Sequence, residues 1–163
     1  DLVSTSTPSI DIQISSNFER LIYDACKDSD YINEIMNNLK KNKSFVLSEK
    51  IREYINEYFT SDTAYEDEVS EKVLHYFTKY DITLDPHTAV GVVCGEKQIS
   101  SEDILVTLST AHPAKFKETV SKIISTDSFV TDKVKNLDSL EESMIIIENS
   151  ASAVRDIIDE RVA

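Results

Sequence analysis

The sequence predicts a helix-rich α/β protein with few strands. Apolar residues recur at the three- and four-residue spacing of amphipathic helices throughout residues 17–80. Two short apolar runs, Ile104–Leu108 and Met144–Ile147, have the length and composition of buried strands. Helical patterns follow both runs, beginning at Pro113 and near Ser150. Together these three observations favour helices combined with a small amount of sheet.

Length, charge and glycine content limit the classes of partner and binding motif that this chain can have. The chain has 163 residues, enough for one ordinary domain with a single core. Its formal charge of −13 repels phosphate backbones and anionic membranes, so we expect no nucleic-acid or membrane partner. The chain has neither a membrane-length apolar run nor a signal-peptide pattern, and we expect a cytoplasmic protein. Its only two glycines, Gly91 and Gly95, cannot form a glycine-rich phosphate loop.

Four helices are predicted in residues 17–80. The first begins with a capping box formed by Ser16 and Glu19. The other three are centred on apolar faces within residues 31–39, 51–59 and 69–77, with Ser48 as the N-cap of the third helix. Charged residues of this block are expected to form its solvated outer face.

The stretch DPHTAVGVVCG predicts a short, buried helix. Asp85 is the expected N-cap, Pro86 occupies the first helical position, and Gly95 is the expected stop. A strand remains an alternative here, because a short apolar run does not define its own period. The next helix is predicted to begin at Pro113 and to bury the face that carries Phe116, Val120, Ile123 and Ile124.

The two cysteines and three histidines do not form a metal pattern. Cys26 and Cys94 lie at no metal-binding or redox spacing, and we predict that both are buried. No histidine pair has a ligand spacing on a helix, so no metal site is predicted. A nucleophile pair of Cys94 with His87, two helical turns apart, is conceivable, but a structural cysteine is the preferred interpretation.

The turn LSTAHPAKF, residues 108–116, is unusually polar. Ser109, Thr110 and His112 follow a predicted strand and precede a helix N-terminus, a position where α/β proteins bind ligands. The alternative is that Ser109 and Thr110 hydrogen-bond the turn while His112 caps the helix. Lys115 lies in the first turn of an amphipathic helix and is expected to face solvent rather than bind a cofactor covalently.

Three motifs occur in a characteristic order: DIQISSNFERL (Asp11–Leu21), LDPHTAVGV (Leu84–Val92) and LSTAHPAKF (Leu108–Phe116). In this order they resemble the carboxyl-terminal part of threonine synthases, pyridoxal-phosphate enzymes of the tryptophan-synthase β-type fold. The resemblance implies a fragment of a fold-type II pyridoxal-phosphate enzyme.

The resemblance also implies a domain organisation and a reaction. Residues 1–16 would be an entry segment, residues 17–80 a helical insertion, and residues 81–163 the carboxyl-terminal part of the cofactor domain. Threonine synthases are lyases of threonine biosynthesis that convert O-phospho-L-homoserine and water into L-threonine and phosphate. They use pyridoxal 5'-phosphate as an electron sink.

Site residues follow from the matching motifs. The resemblance implies that the Thr110 hydroxyl hydrogen-bonds the pyridine nitrogen of the cofactor, which would stay unprotonated. The less specific pocket candidates, for substrate or cofactor, are Asn17, Arg20, His87, Thr88 and His112.

Two departures from the family pattern are expected to matter. The lysine that binds the cofactor covalently and the loop that cradles its phosphate are expected upstream of Asp1. We therefore expect no catalytic residue in this chain, no activity from it alone, and the upstream portion of the enzyme as its partner. Asp81 stands where many relatives carry Gly, and Asp tolerates left-handed backbone better than most residues.

Two alternatives remain open at this stage. One is a threonine-synthase-like phospho-lyase that acts on another substrate. The other is a non-catalytic helical interaction domain that reuses the same scaffold.

Overall fold

The computed structural model describes residues 3–12 and 15–162, and in these ranges the chain is helical with no hydrogen-bonded strand. The α-helices are α1 (Ser16–Cys26), α2 (Ser29–Asn42), α3 (Glu49–Tyr58), α4 (Glu66–Tyr80), α5 (Pro86–Gln98), α6 (Lys117–Ile124), α7 (Asp132–Lys135) and α8 (Ala151–Val162). Short 3-10 helices cover Pro113–Phe116 and Leu137–Ser139. No helix in the described ranges has the length and apolarity needed to cross a membrane.

Two compact units divide the chain, Asp1–Val130 and Thr131–Ala163. This boundary lies far from the predicted ones at residues 16 and 80. Those earlier boundaries concern the domains of a complete enzyme, and they stay a prediction.

Helices α1, α2 and α3 enclose the first core of the larger unit. Its buried members are Ile22, Ile32, Ile35 and Ile51, each contributed by the apolar face of its helix. The α2 helix is fixed at its start by Asp28, whose side chain accepts hydrogen bonds from the backbone N–H groups of Asp30 (2.9 Å) and Tyr31 (3.1 Å).

The predicted capping box of α1 is wrong. Ser15, in an extended conformation, is the N-cap, and Ser16 is already the first helical residue. Glu19 is therefore one residue too far along to bond back to the N-cap in a capping box.

A second core lies between α4, α5 and α6. It buries Val69, Val73, Ala89, Val120 and Ile124. The prediction of a single core is therefore wrong, because α4 packs with the helices that follow it rather than sharing the core of α1–α3. At the end of α4, Asp81 adopts the left-handed conformation with φ 57° and ψ 33°, so this turn is formed without glycine.

Helix α5 begins as predicted but continues three residues past Gly95, which is not its stop. Neither glycine of the helix has a positive φ. A Cβ on Gly95 would lie 2.7 Å from Cδ1 of Leu105, and a Cβ on Gly91 would lie 3.2 Å from Cγ2 of Thr107. Both glycines therefore allow the segment after α5 to cross the helix closely.

That segment, residues 104–110, is extended, with alternate side chains on opposite sides. Leu105 and Thr107 contact α5, whereas Ile104, Val106 and Leu108 are 91%, 78% and 78% exposed. The prediction of a buried strand is wrong for this face. A strand is completed by hydrogen bonds to a neighbouring strand, and the described part of the chain provides none here.

The smaller unit contains α7, the second 3-10 helix and α8. Residues 144–147, the second predicted strand, are likewise unpaired and exposed within the described ranges. Helix α8 is capped by Ser150, whose hydroxyl accepts the backbone N–H of Ala153 at 3.2 Å.

Candidate functional site

A buried polar cluster lies at the start of α5, around the carboxylate of Asp85. Its Oδ1 accepts the backbone N–H groups of His87 (3.0 Å) and Thr88 (3.3 Å), which the helix N-terminus leaves without partners in the helix. Its Oδ2 accepts the hydroxyl of Thr88. The N-terminal dipole of α5 further stabilises a negative charge at this position.

Thr88 connects this cluster to the polar turn at residues 108–116. Its Oγ1 accepts the backbone N–H of Thr110 at 3.0 Å, and the two hydroxyl oxygens lie 3.4 Å apart. Thr88 is buried, whereas Thr110 is exposed. The two motifs that carry these residues, 22 positions apart, thus meet through their threonines.

His87 lies in the first turn of α5, between Pro86 and Thr88. It is buried, and its ring packs on Phe116 with centroids 4.5 Å apart. Its Nε2 accepts the backbone N–H of Ser9 at 3.4 Å, which places the proton of a neutral imidazole on Nδ1. Nδ1 has no hydrogen-bond partner among the described residues and lies 3.4 Å from Oδ1 of Asp85. His87 therefore joins residue 9 to α5.

A cavity of about 550 Å³ opens beside this cluster. This volume is within the range of small-molecule sites in proteins. Asp85, Thr88 and Ser109 provide polar groups in its lining, and Leu84, Val92 and Leu105 provide apolar surface. Polar groups converging on a partly apolar wall are suited to orienting a small molecule.

His112 and Lys115 have local roles. Nδ1 of His112 accepts the backbone N–H of Ala114 at 3.1 Å and so caps the 3-10 helix, which was the alternative to ligand contact. Lys115 is exposed on that helix, as predicted.

Asn17 and Arg20 lie elsewhere, on the exposed side of α1. Arg20 lines a cavity of about 400 Å³ together with Glu19, Tyr23 and Asn33. Within residues 3–12 and 15–162, Arg20 forms no ion pair, and no hydrogen bond joins it or Asn17 to the Asp85 cluster. The predicted pocket residues thus fall into two groups.

The cysteines are partly buried rather than buried, and neither forms a disulfide in the described chain. Burial raises the pKa of the Cys94 thiol, with the nearby Asp62 carboxylate adding to the effect. A raised pKa disfavours the thiolate, which is the nucleophilic form. Cys94 is therefore poorly suited to nucleophilic chemistry.

Asp85 is the residue of this cluster that sequence reasoning did not name as part of the site. We predicted it as a helix cap, which it is, but not as the acceptor of the Thr88 hydroxyl. A threonine three residues after an N-cap aspartate was the available signal.

No cluster of three or more His, Cys, Asp or Glu side chains suited to a metal occurs in the ranges that the structure describes.

Comparisons with known proteins bear on this site. Residues 88–158 match the family described as "Threonine synthase, C-terminal". The threonine synthase of Saccharomyces cerevisiae is 32% identical over 99% of this chain and 37% of its own length. A human protein named threonine synthase-like 1 is 28% identical over 94% of this chain and 20% of its own length. The crystal structure of "PLP bound Threonine synthase from Brucella melitensis" superimposes with a TM-score of 0.78 at 32% identity, covering 98% of this chain and 35% of that one.

Along almost its whole length, this chain is therefore similar to the carboxyl-terminal portion of a larger enzyme. That enzyme family is the threonine synthases, and the resemblance of the three sequence motifs is confirmed. The chain spans a little over a third of the length of the yeast enzyme it matches.

Proposed function

We propose that this chain is the carboxyl-terminal portion of an enzyme that converts O-phospho-L-homoserine and water into L-threonine and phosphate, with pyridoxal 5'-phosphate as cofactor. The observation that carries the proposal is the meeting of Thr88 and Thr110, because it joins two of the three family motifs beside a cavity of suitable size. We also retain the prediction that the enzyme is cytoplasmic.

The residues present fit one end of the cofactor. Thr110 is exposed, and among the described residues its hydroxyl makes only the long 3.4 Å contact with Thr88, which leaves it able to donate to a pyridine nitrogen. When bound, pyridoxal phosphate supplies an electron sink for carbanions of amino-acid substrates. The phosphate end needs a cradle from outside this chain, because both glycines are already used where residues 104–110 cross α5.

The remaining pocket candidates have separate proposed roles. Arg20, with Asn17 beside it on α1, would bind the substrate phosphate, because a guanidinium offers paired donors to phosphate oxygens. His87, Thr88 and His112 would shape the pocket rather than react. No residue of this chain is proposed to move a proton of the substrate, and the chain alone is expected to be inactive.

The test uses the protein that contains this chain, as its gene encodes it. Purified with pyridoxal phosphate, it should release phosphate from O-phospho-L-homoserine and form threonine. Thr110→Val should weaken cofactor binding by about tenfold, the effect of one hydrogen bond, while the matched variant Thr110→Ser keeps it. Tight cofactor binding without phosphate release would refute the proposed reaction.

One second candidate rests on a specific observation, the similarity to human threonine synthase-like 1. In that case the enzyme would be a phospho-lyase acting on another phosphorylated substrate. Phosphate release from such substrates, without threonine formed from O-phospho-L-homoserine, would favour this second function.

A further inference from the structure

The hydrogen bonds between Asp85, Thr88 and Thr110 have a fixed direction. An ionised carboxylate only accepts hydrogen bonds, so the Thr88 hydroxyl must be the donor in its contact with Oδ2 of Asp85. A hydroxyl has one proton and two lone pairs. With its proton directed at Asp85, the Thr88 oxygen presents its lone pairs to other groups.

Those lone pairs face Thr110. The backbone N–H of Thr110 donates to Thr88 Oγ1 at 3.0 Å, which is a normal hydrogen-bond length. The contact between the two hydroxyl oxygens is longer, at 3.4 Å, and only Thr110 has a proton to give to it. The main chain of Thr110 is therefore held firmly, whereas its hydroxyl proton is held weakly.

This arrangement matters because Thr110 lies on an exposed segment. Residues 104–110 have no strand partner among the described residues, so side-chain packing on α5 holds them without a ladder of backbone hydrogen bonds. Thr88 belongs to α5 and is buried. It thus links the exposed segment to a rigid helix at the position of the proposed cofactor contact.

We propose that Thr88 is a positioning residue for Thr110: with its own proton given to Asp85, it accepts the Thr110 backbone N–H and leaves the Thr110 hydroxyl available to a ring nitrogen. The identity of that ring rests on the proposed function. The hold of Thr88 on Thr110 does not, because it is a property of this chain alone.

The first test measures amide hydrogen exchange of this chain by NMR, without cofactor. In the wild type, the Thr110 amide should exchange at least about tenfold more slowly than those of Ser109 and Ala111, after correction for intrinsic rates, because one hydrogen bond must open first. Equal corrected rates at the three positions would overturn the proposal, even if no variant could be purified.

Variants then identify Thr88 as the cause. Thr88→Val should remove the protection of Thr110, and Thr88→Ser, which restores the hydroxyl, should bring it back. The amide of Val69, bonded to the Tyr65 carbonyl at 3.0 Å in the adjacent helix, reports on general unfolding in the same spectra. Unchanged Thr110 protection in Thr88→Val would contradict the assignment.

A second readout uses the protein that contains this chain and titrates it with pyridoxal phosphate. Thr88→Val should weaken binding about tenfold and Thr88→Ser should restore it. If Thr110 protection depends on Thr88 but neither the wild type nor the variants bind pyridoxal phosphate, the proposed function is refuted. The positioning of the Thr110 backbone by Thr88 is then still supported. Equal cofactor affinity of wild type and Thr88→Val would instead overturn the positioning role.

Discussion

Leu105 packs against Gly95 so closely that a Cβ on this glycine would lie 2.7 Å from the leucine Cδ1. Alanine inside a helix is normally favoured over glycine by about 1 kcal/mol. At this position, that gain is opposed by the displacement of Leu105.

We expect Gly95→Ala to leave the free energy of unfolding nearly unchanged in the wild type, and to stabilise Leu105→Ala by about 1 kcal/mol. The measurement is a double-mutant cycle by urea unfolding, in which residues in contact show coupling above about 0.5 kcal/mol. Additive effects of the two substitutions would contradict this packing.

Two helix N-caps of the first core offer a matched pair. Asp28 accepts two backbone N–H groups of α2, whereas the side chain of Ser48 makes no capping bond to α3. Asp28→Ala should therefore destabilise the chain by about 1 kcal/mol, and Ser48→Ala by much less. Thermal unfolding of both variants checks the difference, and equal losses would count against it.

Acid should weaken the ion pair between α4 and α5. The hydrogen bond from Lys97, with a second from the backbone N–H of Tyr65, holds the pKa of Glu68 below its ordinary value of 4.5. A lowered carboxyl pKa adds stability above the unfolded value, and this stability is lost as pH falls through the folded value.

The stability advantage of wild type over Glu68→Gln should thus be constant above about pH 5.5 and shrink below about pH 4.5. Hydrogen bonding to Glu68 raises the pKa of Lys97. The contribution of Lys97 to stability therefore persists into alkaline solution and is lost only above about pH 10.5. Urea unfolding at several pH values tests this, with Glu53→Gln on the exposed side of α3 as the control for losing one charge. An advantage that persists at pH 3 would be the contrary result.

The exposed face of residues 104–108 should promote self-association of this chain. An unpaired extended segment with apolar side chains is a template for pairing with another chain. Val106→Lys should lower the concentration-dependent increase in sedimentation coefficient, because a charge on the exposed side opposes pairing. Glu118→Gln, at an exposed position of α6, is the control, because it makes the same change of +1 in net charge away from this segment. A monomeric wild type at all concentrations would rule this prediction out.

The helices were largely predictable because their signals are local. Val69 and Val73 lie one turn apart, and the cap at Asp85 with Pro86 after it marks the start of α5. The strands were not, because pairing depends on neighbours distant in sequence, and Ile104–Leu108 finds none in the described chain. The division into two cores also depends on contacts between distant parts of the sequence, such as those of α4 with α6.

The candidate site was predictable only in part, because its contacts also join residues that are distant in the sequence. Thr110 and Thr88 were both named, but only as members of separate motifs. Their contact depends on the course of residues 104–110 over Gly91, which no local pattern specifies. The use of Asp85 as acceptor for Thr88 follows from that same three-dimensional arrangement.

The two cores of the larger unit have distinct buried residues, with Ile22 and Ile51 in one and Val73 and Ala89 in the other. Such segments can behave as separate cooperative folding units with their own opening free energies. Arg20 would then be lost to local unfolding of α1–α3 while Thr110 stays in place. The proposed phosphate contact of Arg20 and the proposed cofactor contact of Thr110 should therefore be lost at different temperatures.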